Sequence, residues 1–177
     1  MLELLKKRKS TRTYLNKEIE KNIVKKLLEA AMLSPSSRDR KPWAFIVIDD
    51  RKIIEQLALS KEHGSEFLRT APLIIAVIAD TTLTDVWVED CSIASIIIQL
   101  EAEALGLGSC WVQIRNRETK NKEKSEGFVK KILNIPDQFG VESLIGIGYP
   151  TEEKMDNNRP LTWEKCKYNS YNSTYKT

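Results

Sequence analysis

Apolar residues recur about every fourth position between residues 16 and 34, and this spacing predicts an amphipathic helix early in the chain. The residues on its apolar face are Ile19, Ile23, Leu27 and Ala31. Lysines and glutamates occupy the opposite face, as in a helix with one side in water. Asn16 is the predicted N-cap, and Pro35 ends the helix because proline cannot continue it.

Four apolar runs predict buried strands farther along, and they lie at residues 43–50, 73–80, 109–114 and 142–150. Helical patterns lie between them, at residues 51–60, around 66–70, from about 86 to 105, and at 127–135. The long helix is apolar on nearly all sides, so we expect it to be central and buried. This alternation predicts one sheet covered by helices, in a single domain spanning residues 1–177.

Composition makes several classes of function less favourable. The 177 residues carry a net charge of +3, a small excess for a nucleic-acid-binding protein. The three cysteines form no CxxC pair, so we expect reduced thiols in a cytoplasmic protein without a structural metal. No apolar run has the length of a signal peptide or a membrane span. The single histidine, His63, lies in a polar stretch, so any chemistry is expected to come from a cofactor.

A short basic stretch, KKRKSTRTY at residues 6–14, concentrates positive charge near the start of the chain. Such a stretch could bind a nucleic-acid backbone, a membrane surface or one small anion held from several sides. It could also be a solvated face without a partner. The stretch alone leaves these alternatives open.

Three separated segments carry a resemblance to a known family. They are RKSTR at residues 8–12, SPSSRDRKPW at 34–43, and GIGYP at 146–150 followed by Arg159. Together they resemble the FMN-dependent nitroreductases, and the order of the intervening elements agrees over nearly the whole chain. The resemblance implies an α+β fold with a mixed central sheet flanked by helices around a long central one. It also implies bound FMN and a homodimer with each flavin at the subunit interface.

The resemblance assigns the FMN phosphate to the basic stretch and to a late arginine. The residues implied are Arg8, Lys9, Ser10, Arg12 and Arg159. The chemistry agrees, because a phosphate dianion needs several cations and hydroxyl donors, and the guanidinium group can make two parallel bonds to phosphate oxygens. An electropositive pocket would also attract an anionic nicotinamide cofactor.

The resemblance assigns the serine- and proline-rich segment to contacts with the flavin, often from the other subunit. The residues implied are Pro35, Ser36, Ser37 and Asp39. The family often has asparagine at position 39, whereas an ionised Asp39 can only accept hydrogen bonds. Its charge either lowers the reduction potential of the flavin or is compensated by a neighbouring arginine or lysine.

The segment CWVQI at residues 110–114 resembles the family strand that runs beneath the flavin ring. Main-chain groups near Gln113 and Ile114 would then face the cofactor. Trp111 is assigned to the same site, although core packing is the alternative for its indole. Residues 151–177 are expected to form an extended arm on the partner subunit, with a disordered end as the competing interpretation.

The implied activity is a two-step exchange. NADH or NADPH would pass hydride to the flavin, and a nitroaromatic, quinone or similar acceptor would then take the electrons. No side chain is expected to act as a catalytic acid or base. Two alternatives stay open: a specialised reaction of the same superfamily, such as flavin cleavage or reductive dehalogenation, and non-enzymatic binding of nucleic acid.

Overall fold

The computed structural model describes residues 1–152 and 160–175. In these residues the helices are α1 Leu2–Lys7, α2 Lys21–Met32, α3 Arg51–Leu57, α4 Trp87–Ala104 and α5 Ser125–Leu133. The strands are β1 Trp43–Ile48, β2 Leu73–Asp80, β3 Gly108–Gln113, β4 Phe139–Gly148, β5 Lys167–Tyr168 and β6 Ser170–Thr174. Short 3-10 turns lie at Ser37–Asp39, Glu66–Thr70 and Trp163–Lys165.

The main sheet has the order β1-β2-β4-β3, with β1 and β3 at its edges. Each neighbouring pair of these strands is antiparallel. Among the described residues, one parallel bridge joins this sheet, between Ser10 and Ser109 at the outer side of β3. The predicted α+β fold is confirmed, and its sheet is antiparallel apart from this bridge.

Helices cover both faces of the sheet. Ile74, Ala76 and Ile78 of β2 pack in the layer that contains α3 and α5. Leu73, Ile75 and the other odd-numbered residues of β2 face α2 and α4. This period of two buries β2 on both faces. The predicted long central helix is therefore confirmed as α4, which packs across the sheet.

Strand β4 contains a β-bulge. Val77 of β2 pairs with Ser143 and the next residue, Ile78, pairs with Val141. Glu142 is therefore the extra residue on the bulged strand. A bulge of this kind changes the direction in which a side chain points and often lies next to a functional site.

The start of the chain differs from the sequence prediction. Residues 2–7 form α1, which the pattern did not indicate. Helix α2 begins at Lys21, so the prediction of Asn16 as its N-cap is wrong. The main-chain N–H of Leu15 donates to the carbonyl of Tyr149 at 2.8 Å, and Tyr14 bridges to Pro150. These contacts hold residues 14 and 15 extended along the end of β4, so helix α2 begins later in the chain than predicted.

The C-terminal residues that are described lie on the surface. Strands β5 and β6 pair as a small antiparallel hairpin, and every residue from 160 to 175 is exposed. Trp163 stacks on Tyr175 with ring centroids 6.4 Å apart. Among the described residues, no helix is both long and apolar enough to cross a membrane.

Gly108 allows the N-terminal segment to lie against β3. A Cβ atom at this position would be 2.7 Å from three side-chain atoms of Thr11, which is itself buried. We expect Gly108→Ala to lower the free energy of unfolding by about 1–3 kcal/mol, because the short Thr11 side chain cannot move away without shifting its backbone. Urea denaturation at constant m-value measures this change.

Gly127 in α5 is the matched control, because a Cβ atom there meets nothing within 4 Å. We expect Gly127→Ala to raise stability by about 0.5–1 kcal/mol through helix propensity. A Gly108→Ala protein as stable as the wild type would show that Thr11 is not held against β3.

Candidate functional site

The basic segment, defined as residues Arg8–Arg12, is fixed to the outer edge of β3. The main-chain N–H of Thr11 donates to the carbonyl of Ser109 at 3.0 Å, next to the bridge between Ser10 and Ser109. The buried hydroxyl of Tyr14 lies within hydrogen-bond distance of the carbonyls of Thr11 and Gly146. Backbone pairing, rather than charge, therefore fixes where the cations of this segment lie.

Three of the predicted phosphate-binding residues gather around Cys110 of β3. Burial raises the pKa of the Cys110 thiol, whereas Arg12, a hydrogen bond with Ser10, and Arg8 lower it. Two guanidinium groups and a hydroxyl thus act on one buried atom near the start of β3. That is the donor set an anionic group with several oxygens requires.

Lys61 belongs to the same cluster, and the sequence analysis missed it. The positive charge of Lys61 lowers the pKa of the Cys110 thiol, as do the charges of Arg8 and Arg12. Burial lowers the pKa of Lys61, and the positive charge of the nearby Arg117 lowers it further. No local pattern could indicate this residue, because it lies in a polar turn that approaches β3 only through the tertiary fold.

A cavity of about 630 Å³ opens beside Lys61. Its basic lining residues are Lys61, His63, Arg117 and Lys124. Two of its acidic residues are paired with lysines: Glu62 with Lys122 at 3.1 Å and Glu126 with Lys130 at 3.5 Å. His63, which the sequence placed in a loop away from chemistry, lies in the wall of this cavity.

The outer edge of β3 presents main-chain groups beyond the basic segment. The N–H of Ile114 donates to the carbonyl of Glu142 in β4 at 3.0 Å. Because bonding directions alternate along an antiparallel strand, the N–H of Gln113 points away from β4. The N–H of Trp111 points away from β4 as well, because Trp111 lies two residues before Gln113. Ser109, two residues earlier again, has the same direction, since its carbonyl accepts from the N–H of Thr11 on this edge.

Ile114 itself offers little to a ligand. Its carbonyl accepts from the N–H of Arg117 at 3.2 Å, its N–H is used in the sheet, and its side chain is fully buried. A contact between the Ile114 main chain and a cofactor would have to compete with these two bonds. The half-buried indole of Trp111 packs against the apolar layer beneath α4, in agreement with the packing alternative.

The serine-proline loop, defined as residues 35–41, has an unusual backbone. Arg38, Asp39 and Lys41 have φ values of 52°, 54° and 49°, in the left-handed region that residues with side chains rarely adopt. The hydroxyl of Ser36 accepts from the N–H of Lys41 at 2.9 Å and closes the loop. Strained backbone of this kind persists only where surrounding contacts hold it.

Asp90 of α4 supplies one of those contacts, and the sequence analysis missed it as well. Its Oδ1 accepts from the main-chain N–H of Ser37 at 2.8 Å, and the side chain is buried. Asp39 lies at the surface, 3.2 Å from the ammonium group of Lys41. Lys41 is therefore one of the cations that can compensate the charge of Asp39.

The serine-proline loop and the basic segment belong to opposite edges of the sheet. The loop leads into β1 at Trp43, and the basic segment borders β3 at Ser109. With the order β1-β2-β4-β3, three strand spacings separate these edges, or about 14 Å. Trp43 and Ser109 also lie toward opposite ends of the sheet, because Trp43 pairs near the Ala79 end and Ser109 near the Leu73 end.

Two of the five predicted phosphate-binding residues, Lys9 and Arg159, are not brought into the cluster by the described contacts. Lys9 is half-buried, and none of these contacts ties its ammonium group to Cys110. Arg159 lies outside the described residues. Pro35 is exposed at the start of the serine-proline loop.

Comparison with known proteins identifies the family. The profile of the nitroreductase family matches residues 5–61 and 55–149. An Archaeoglobus fulgidus protein named "Putative NADH dehydrogenase/NAD(P)H nitroreductase" is 36% identical over 157 residues, covering 86% of this chain and 87% of that protein. A Rhodospirillum rubrum protein named 5,6-dimethylbenzimidazole synthase is 27% identical, covering 82% of this chain and 80% of its own length.

A solved structure gives the same result for the fold. The FMN-dependent nitroreductase of Clostridium difficile R20291 superposes with a TM-score of 0.93 at 43% identity, covering 96% of this chain and 99% of that one. The matched profile spans the elements that carry the basic segment, the serine-proline loop and β3. The chain therefore belongs to the nitroreductase family.

Proposed function

We propose that this protein is an FMN-dependent oxidoreductase that uses NADH or NADPH as electron donor. The observation that carries the proposal is the cluster of Arg8, Ser10, Arg12 and Lys61 around the start of β3. Family membership supports the proposal, as does the FMN dependence named for the Clostridium difficile structure.

The donor set fits the phosphate end of FMN. Two guanidinium groups, an ammonium group and a hydroxyl can neutralise a dianion and donate to its oxygens. Lys9 and Arg159 remain proposed members of this set. The open edge of β3 extends from the cluster toward Gln113 and offers main-chain donors to a flat, elongated cofactor.

Bound FMN would supply the redox chemistry, taking hydride from the nicotinamide and passing electrons to an acceptor. The residues of this chain bind, orient and stabilise charge. Lys61 and Arg117 place positive charge beside the cavity, where negative charge on a reduced cofactor would be stabilised. The proposed contribution of Pro35, Ser36, Ser37 and Asp39 is to contact the flavin through a loop whose shape is already fixed.

The proposed acceptor is a nitroaromatic, a quinone or a similar small molecule. A specialised reaction is the alternative, and the similarity to a 5,6-dimethylbenzimidazole synthase keeps it open. Nucleic acid is disfavoured as a partner, because the net charge is only +3 and the basic segment is paired along the edge of β3 beside Cys110. A cytoplasmic location stays a prediction of the sequence.

The direct test is the absorption spectrum of the purified protein with added FMN, before and after anaerobic addition of NADH or NADPH. We expect a bound-flavin spectrum that bleaches with at least one donor. Bound flavin that neither donor bleaches would point to another electron source and the specialised alternative. Absence of FMN binding would contradict the proposal.

Removing charge from the cluster tests the assignment of the phosphate. We expect Arg12→Met and Lys61→Met each to weaken FMN binding by about tenfold or more, the loss of roughly one charge-assisted hydrogen bond. Fluorescence titration of FMN measures the dissociation constants. Lys52→Met, at an exposed position of α3, is the matched control and should leave FMN affinity within about twofold of wild type. Equal affinities in all three variants would show that the phosphate lies elsewhere.

A homodimer is the second part of the proposal. Since the serine-proline loop and the basic segment border opposite edges of one sheet, a second copy is the simplest way to bring both to one flavin. Helices α1 and α2 both pack on α4, and apolar side chains are exposed on or directly after all three helices. These exposed residues are Leu2, Leu5, Met32, Leu33, Ile93 and Ile96. We propose this surface as the dimer interface, with residues 151–177 as an arm on the partner.

Charge on this surface should separate the subunits. Ile93 and Ile96 are each 37% exposed, and a glutamate in their place would be desolvated in a dimer. We expect Ile96→Glu to shift the protein from dimer to monomer in light scattering and to lose FMN with it. Leu59, 49% exposed just after α3, is the control, and Leu59→Glu should leave the mass unchanged. A wild-type monomer that binds FMN would contradict the dimer proposal.

A further inference from the structure

Glu142 is a buried carboxyl that the proposed function does not use. It is the extra residue of the bulge in β4, and its side chain is only 3% exposed. Val141 and Leu144 both pack in the layer of α3 and α5, while Ser143 bonds to Ser95 of α4 at 3.0 Å. The bulge thus interrupts the alternation of β4 at Glu142.

A chain of hydrogen bonds links Glu142 to the open edge of β3. Gln113 donates through Nε2 to Glu142 Oε1 at 3.0 Å and to the carbonyl of Arg115 at 3.3 Å. The indole Nε1 of Trp111 donates to Gln113 Oε1 at 2.9 Å. The amide of Gln113 is therefore oriented by three bonds, and its oxygen and nitrogen cannot exchange places without losing the bonds to Trp111 and Arg115.

The second oxygen of Glu142 is not satisfied in the same way. Oε2 is buried and has no hydrogen-bond partner among the described residues. Burial raises the pKa of Glu142, while Gln113 and Arg115 lower it less. Glu89 on α4 and Glu126 on α5 are close enough to raise this pKa further. Cys91 on α4 interacts with Glu142 and also with its neighbour Asp90. Most of these groups are acidic, so an ionised Glu142 would add a charge to an already negative environment.

We propose that Glu142 is a positioning residue for the flavin site, a buried carboxyl whose hydrogen bond with Gln113 holds Gln113 and Trp111 on the cofactor-facing edge of β3. The inference rests on the proposed function, because it takes the outer edge of β3 as the surface that contacts FMN. Glu142 does not lie on that edge. A change in the protonation of Glu142 alters its hydrogen bond with the side-chain amide of Gln113. The main-chain N–H of Gln113 points outward on that edge.

This arrangement gives the protein a defined dependence on pH. The pKa of Glu142 is higher in the folded chain than in the unfolded chain, so between the two values the folded protein holds a proton that the unfolded chain has lost. Raising the pH through this interval therefore lowers the free energy of unfolding. Glu142→Gln keeps an acceptor for Gln113 and removes this part of the pH dependence.

The first measurement follows the hydrogen bonds without using the cofactor. In ¹H–¹⁵N spectra of the protein, the indole signal of Trp111 is identified by its loss in Trp111→Phe. We expect this signal to shift with pH in one step above the ordinary range of glutamate. It should not shift in Glu142→Gln. Glu89→Gln, which removes a nearby exposed carboxylate, is the control and should keep the step at a slightly lower pH.

The second measurement asks whether the effect reaches FMN. Across the same pH interval, we expect the dissociation constant of FMN to depend on pH more steeply in the wild type than in Glu142→Gln, because titration of the FMN phosphate affects both proteins equally. Glu142→Leu, which removes the acceptor, should weaken FMN binding by about threefold to tenfold. If Glu142→Leu does not fold, the comparison of FMN affinity between the wild type and Glu142→Gln still decides the question.

Two results would overturn the inference while the proposed function stands. One is an indole signal that is insensitive to pH in the wild type, or that titrates equally in Glu142→Gln. The other is an FMN affinity that depends on pH equally in the wild type and in Glu142→Gln. A wild-type protein that binds no FMN would instead remove the proposed function, and this inference with it.

Discussion

The pairing of the N-terminal segment with the first residues of β3 is the contact on which the candidate site depends. A backbone hydrogen bond from Thr11 to Ser109, with Gly108 leaving room for the Thr11 side chain, fixes the segment at one edge of the sheet. This backbone pairing then brings the cations on either side of Thr11 to Cys110, although their like charges repel one another. A cluster of like charges forms only because the sheet provides the energy to hold it.

The local pattern of the sequence was sufficient for most of the fold. Apolar runs and helical periodicity predicted the four main strands and the long helix α4, because each such element buries side chains at a regular spacing. The pattern failed where long-range contacts overrule it. Helix α2 starts five residues after Asn16, since Leu15 is bonded to the end of β4.

The site could be predicted only where its residues form a contiguous motif. Arg8, Ser10 and Arg12 are close together in the chain, so the resemblance was enough to indicate them. Lys61 and Asp90 could not be found in this way, because each acts on a segment that lies far from it in sequence. Their contribution depends on the packing of a polar turn and of the first turn of α4, which periodicity does not report.

The crowding of cations around Cys110 links the cofactor to the folding of the chain. Without an anion, the like charges of Arg8, Arg12 and Lys61 around Cys110 repel one another. A bound phosphate group would turn the same repulsion into attraction, and a ligand that binds only the folded state stabilises it by mass action. The amount of folded protein in a cell would then follow the supply of its flavin, and starvation for that vitamin would remove the apoprotein as well as its activity.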